Sequence, residues 1–332
     1  MNIEYLKDER LPKGVGRFCV TKVQVSEAVA KSTPSAVNAN RIRDLHAVIM
    51  NALPNWLFRG RGVSLCYTDR GKKTFLSMDL PIENGSEFLV PDLEALRFIA
   101  KTKKLQLPSF KEHCRQFNRR HEIIFWRGAT TGLGNIQSIN HLNSIPRIQI
   151  CLSALSCSMY DLRISSLVQA DENVEDELKE WMIDKGIFAE YVCSEVFNDY
   201  FATIMMPGNA TPWGVLEKMY NGLLIIQPRQ FFQTLFAYML KSKHHCIPIP
   251  NYSASSLKHT ATWCLSNKSD ASKIAWRGRV LAYSYLSNLK AIYIAKALLI
   301  KYGLGSTFLL WIFQRIFNAY VLCFYWISRI TR

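Results

Sequence analysis

From residue 122 to residue 132 the chain reads Glu-Ile-Ile-Phe-Trp-Arg-Gly-Ala-Thr-Thr-Gly, an apolar run that gives way to glycine and threonine. This is the pattern of a buried strand entering a small-residue turn, the opening of an α/β unit. Glycines at such an edge let backbone amides come close to a ligand. An arginine there can hold a diphosphate through two parallel hydrogen bonds. An ordinary strand-to-helix loop has the same composition, so the stretch alone fixes a fold class and leaves function open.

The rest of the chain repeats the alternation. Ahead of residue 120, short apolar stretches (17–25, 62–67, 88–90) alternate with helical patterns over 41–53 and 91–102, which predicts a first α/β domain. The basic, proline-interrupted segment 101–120 reads as a linker. Beyond it, helices are predicted over 146–155, 175–184, 215–221, 255–266 and 271–287, with strands over 200–206, 223–226 and 245–250. Pro207-Gly208-Asn209-Ala210-Thr211-Pro212-Trp213-Gly214 is the turn that launches the 215–221 helix, and Gly222 ends it. The expected domains are 1–120, 121–303 and a hydrophobic end, 304–332.

At 332 residues, 49% hydrophobic and 20% charged, the chain can bury one or two cores. Its formal charge of +15 calls for a negative partner: nucleic acid, an anionic membrane surface or a phosphorylated substrate. The nine cysteines include no C-x-x-C pair, which argues against a disulfide framework or a structural zinc site, so they read as mostly buried thiols. His244-His245-Cys246 lacks a second ligand cluster. Gly132-Leu133-Gly134 has Gln137 where a dinucleotide fingerprint needs its third glycine. The first ten residues carry acidic side chains and no apolar run, unlike a secretory signal, so a cytoplasmic body is expected.

Taken in order, Trp126-Arg127-Gly128 with Thr130, Thr131 and Gly132, then Arg147, then Gly208-Asn209 with Trp213, and finally Ile247-Pro248-Ile249-Pro250 resemble glycosyltransferase family 90. The likeness spans roughly residues 63–283. It departs from the family at Pro207, where the family has aspartate. The resemblance implies an α/β fold of the GT-B type, with two Rossmann-like domains facing across a cleft and the UDP-sugar donor mainly on the second. Trp126, Arg127, Gly128, Thr130, Thr131, Arg147, Gly208, Asn209 and Trp213 would then bind the donor. No metal or other cofactor is expected, because arginines would neutralise the diphosphate. The acceptor's base would be a carboxylate of the first domain, Asp69 after the strand Val63–Tyr67, with Asp92 the rival. Asp92 also suits a helix cap.

Residues 306–328 are long and apolar enough to span a bilayer, but Arg315 lies at their middle, with Gln314 and Asn318 nearby. An interfacial helix on the inner membrane, or a brace across the domains, fits better than a span. The expected partners are therefore a UDP-sugar, a glycan or lipid-linked acceptor such as lipopolysaccharide, and an anionic inner-membrane surface, in a bacterium. Nucleic acid is not expected. The competing readings are a basic nucleic-acid-binding protein, for which Arg59-Gly60-Arg61-Gly62 speaks, and a family member that has lost turnover, for which Pro207 speaks.

Overall fold

The computed structural model describes residues 93–301, save 103, 133, 210 and 213 and the side chains of 93, 96, 100 and 291–301; ahead of these it describes Ile42 and the backbones of six short strands. Those strands are β1 (Glu4–Lys7), β2 (Val15–Phe18), β3 (Lys22–Val25), β4 (Val63–Cys66), β5 (Leu76–Ser77) and β6 (Asp79–Pro81). The first five form one sheet in the order β1-β3-β2-β4-β5, in which β2 runs antiparallel to both neighbours. The expectation of a Rossmann-like first half is corrected for these strands. The short link between β2 and β3 permits a hairpin, whereas a parallel pair needs a crossover of a dozen residues or so.

The second sheet matches the α/β expectation. It comprises β7 (His121–Ala129), β8 (Tyr160–Ser166), β9 (Tyr200–Ile204), β10 (Leu224–Gln227) and, beyond the small β11 (Phe232–Thr234), β12 (Ile247–Pro248). Every neighbouring pair is parallel, in the order β12-β10-β9-β7-β8. The chain thus steps from β7 to β8 on one side, then returns to build β9, β10 and β12 on the other. This is the doubly wound order with its switch point between β7 and β9, where loops after adjacent strands diverge and leave a crevice. β11 pairs antiparallel with β6, tying the first half to the second.

Alternation along the strands divides the core. Ile124, Trp126, Ala202, Ile204, Leu224 and Ile226 face one side, packing with Ile148 and Cys151 of one helix and Leu257 and Ala261 of another. Those helices are α4 (Pro146–Ala154) and α8 (Ala254–Ser266). On the opposite side Met205 and Ile225 meet three helices: α1 (Leu93–Lys101), α6 (Val215–Tyr220) and α9 (Lys268–Lys301). Phe125 is covered there by Phe197 and Leu223. Burying each leucine, isoleucine, methionine or phenylalanine among these contributes about 1.5–3 kcal/mol.

The segment expected as a linker holds α2 (Phe110–Arg119), capped by Ser109, whose hydroxyl accepts from Glu112 N at 3.2 Å. Phe110, His113 and Phe117 recur at helical spacing, and His113 and Phe117 are buried, so the helix has a packing face despite its basic surface. The expected boundary near residue 121 therefore falls between α2 and β7, two elements that bury side chains in one core. Among the described residues no helix is long and apolar enough to cross a membrane. Residues 304–332, and the helical pattern at 41–53 apart from Ile42, lie outside the described residues.

Candidate functional site

The Trp126-Arg127-Gly128 stretch is strand, not turn: β7 continues to Ala129, and its register against β8 shifts between Gly128 and Ala129. Gly128 is needed for a packing reason. A Cβ there would lie on Trp126 Cζ2, since residues 126 and 128 share a face and the indole folds back over the glycine. Trp126 itself is a core residue on the α4 side. Arg127 points to the opposite face, over the Phe125 ring at 4.4 Å. It donates to the Asp161 carboxylate at 2.8 Å and to Asp161 O at 3.0 Å, while Arg163 lies 3.3 Å from the other carboxylate oxygen. The fold thus separates the two arginines that the sequence grouped.

Arg147 lies at the switch point. Pro146 opens α4 at its first turn, and the N-cap is Ile145, which supplies no side-chain bond to the helix amides. The Arg147 side chain is 9% exposed. Its Nη1 donates to Ala129 O at the end of β7 (2.8 Å), and its Nε donates to Pro207 O in the loop after β9 (2.7 Å). One guanidinium therefore joins the loops on both sides of the crevice. Its face lies 5.6 Å from the Trp126 ring. Burial pulls its pKa down to about 10, and among the described residues no carboxylate forms an ion pair with it. A buried cation held only by carbonyls has charge to spare for an anion.

Gly208 fits this cradle closely: a Cβ there would be 2.5 Å from Arg147 Nη2 and 2.9 Å from Thr131 Oγ1. Gly132, at φ 153°, lies over the start of α4, its Cβ position 3.5 Å from Ile145. Thr130 is spent on structure, donating to Val168 O and accepting from Val168 N, each at 2.9 Å. Asn209 donates to Gln169 at 3.2 Å across the crevice. Asp69, Asp92 and Trp213 lie outside the described residues.

Lys218 was not anticipated. It stands one turn into α6, with Nζ 4.1 Å from the Phe197 ring centroid and 3.2 Å from where a Gly214 Cβ would be. Burial lowers its pKa, and Glu217, Glu94 and Arg147 lie within electrostatic range. The sequence signal was present in a lysine four residues past a left-handed glycine, Gly214 at φ 77°, which caps the helix after the loop. A pocket of about 440 Å³ lies farther along α4, between Gln149, Leu152 and Ser153 and the Asn251–Ser253 approach to α8. Among the described residues no three histidine, cysteine or acidic side chains converge on a metal position.

The strand order and the crevice at its reversal define a doubly wound α/β domain of the kind that takes ligands beyond the carboxyl ends of its strands. No protein-family model matches the chain, and no curated protein does. Solved structures give distant likenesses. The C-terminal domain of LpcC, a glycosyl transferase group 1 family protein from Francisella tularensis, is 11% identical, covering 53% of this chain and 91% of that one, at TM-score 0.32. Anabaena HepE in complex with UDP-glucose is 14% identical over 59% of this chain and 53% of its own, at 0.38. Sucrose-phosphate synthase from Thermosynechococcus elongatus is 11% identical over 84% and 66%, at 0.39. The chain thus spans about half the length of HepE. At TM-scores this low, none of these likenesses carries a functional inference.

Proposed function

We propose that the chain is a UDP-sugar-dependent glycosyltransferase whose switch-point cradle holds the donor diphosphate. The observation that carries this reading is Arg147: a buried guanidinium without a carboxylate partner among the described residues, beside a helix N-terminus without a side-chain cap. Glycosyl transfer develops negative charge on the departing diphosphate, and a fixed cation with aligned amides stabilises that charge without reorganising. Thr131, Gly208 and Asn209 line the same crevice, Lys218 adds a second cation nearby, and Trp213 would shape the donor pocket. With arginine supplying the charge, the reaction needs no metal. The sugar is a hexose, glucose by the family resemblance. The acceptor is a hydroxyl of lipopolysaccharide or a related glycan, deprotonated by Asp69 or Asp92. The +15 charge supports a cytoplasmic protein held on the anionic inner membrane.

Calorimetric titration of UDP and UDP-glucose, with and without EDTA, into wild type and Arg147→Ala tests the reading. Chelator-insensitive binding that the substitution abolishes is expected, followed by turnover of UDP-glucose on a glycan acceptor. Well-folded wild type that binds no UDP would overturn it. Binding without turnover would point to the degenerate member that Pro207 raises.

A further inference from the structure

Gln169, in the loop after β8, has its backbone in the left-handed region at φ 61°. Glycine takes that conformation freely, whereas a residue with a side chain is strained in it. The strain is held in place from the segment after β7. Thr130 Oγ1 donates to Val168 O and accepts from Val168 N, each at 2.9 Å. On the other side of the residue, Ile136 N donates to Gln169 O at 2.6 Å, and Ile136 O accepts from Asp171 N at 2.9 Å. Ile136 is fully buried, so these bonds anchor Gln169 to the core.

From this anchor the side chain reaches over the crevice. Its Oε1 accepts from Asn209 Nδ2 at 3.2 Å, the one bond that side chain makes among the described residues. Asn209 lies in the loop after β9, directly behind the two residues that seat Arg147: Pro207 O accepts from Arg147 Nε, and Gly208 packs against Arg147 Nη2. Because β8 and β9 flank β7, the Gln169–Asn209 bond ties the outer loops together across the end of the middle strand, where Ala129 O takes the guanidinium's other bond. Backbone strain that the surroundings over-determine is kept where it fixes a functional group.

We propose that Gln169 is a positioning residue of the donor site: it holds the 207–209 loop against Arg147, so that the cradle is set before a diphosphate enters. This rests on the donor-cradle reading above and adds to it a residue that acts through Asn209 rather than on the ligand. A loop tethered beforehand loses less freedom on binding, so the tether acts through affinity while the strain acts against stability.

Scanning calorimetry and UDP titration of the full-length protein test it, with Gln169→Gly, Gln169→Met, Asn209→Ala and the Gln169→Gly/Asn209→Ala pair. Gln169→Gly removes tether and strain together. It is expected to weaken UDP about fivefold while leaving the melting midpoint unchanged or raised, which the loss of a purely structural residue would not do. Gln169→Met keeps the strain but loses the amide acceptor, so it should weaken UDP alike at a lower melting midpoint than the glycine variant. If Gln169→Gly does not fold, Gln169→Met takes its place throughout. In the Asn209→Ala background the substitution at 169 should no longer weaken UDP. UDP affinity indifferent to both substitutions at 169, or a loss that persists without Asn209, would overturn the proposal while Arg147→Ala still abolishes binding. Wild type that binds no UDP would overturn it together with the donor reading.

Discussion

Gly208→Ala tests the cradle through a single methyl group. The new Cβ would stand 2.5 Å from Arg147 Nη2, against about 3.4 Å for ordinary contact, so the guanidinium must retreat by about 0.9 Å. Its bonds to Pro207 O and Ala129 O, at 2.7 and 2.8 Å, cannot both survive such a shift. Losing one hydrogen bond from a charged donor costs roughly 1.5–3 kcal/mol. In a unit of this size that lowers the melting midpoint by about 5 °C. A misplaced guanidinium should also weaken UDP by about tenfold, the equivalent of ~1.4 kcal/mol. Scanning calorimetry and UDP titration on Gly208→Ala, Arg147→Ala and the double variant form a cycle. With Arg147 truncated the methyl meets only Thr131 Oγ1, at 2.9 Å, so Gly208→Ala should then cost distinctly less than it does in the wild type. Costs that simply add, or a Gly208→Ala variant with wild-type melting and affinity, would refute this account of the cradle.

Asp161→Asn should destabilise the fold by about 1–3 kcal/mol in urea unfolding, since Arg127 would lose its carboxylate. UDP affinity should stay unchanged, because Arg127 points away from the crevice. Gly128→Ala should cost about 1–3 kcal/mol by forcing Trp126 off its seat, and should blue- or red-shift tryptophan emission. His113, 1% exposed and donating through Nε2 to Ser272 O at 3.1 Å, has its pKa lowered from 6.5 to about 4, chiefly by burial. Folding thus disfavours its protonation. The stability this group supports is fully present above pH 6.5 and is lost as pH falls toward 4, by roughly 3 kcal/mol at ~1.4 kcal/mol per pH unit. Urea unfolding of wild type and His113→Gln at pH 7 and 4.5 should show a smaller drop in the variant.

Much of the second half was legible because its punctuation is local. The helix at Glu175–Asp184 and the strand stopped and started by Gly222 follow from capping and turn chemistry within a few residues. Other features depend on partners far along the chain. Whether Gly128 turns or continues a strand is decided by the indole two residues back, and the two arginines part because 127 and 147 meet different faces of one sheet. α2 was hidden because a basic surface outweighed its sparse apolar positions. Lys218 was missed because its environment is assembled by Phe197 and the turn at Gly214. Arg147 was found through family likeness, while its burial and carbonyl partners are properties of the fold.

α1 carries one more consequence. Ala95 and Ile99 are buried against α6 and α9, while Phe117 of α2 meets Phe201 edge-on at 5.8 Å. A fragment started at residue 121 would leave both of those surfaces bare to water, and a protease cutting at 102–108 would release a segment that still adheres. A piece that begins before Leu93 keeps both surfaces covered, so it should express and refold better than one begun at residue 121, which comparison of the two by urea unfolding would check.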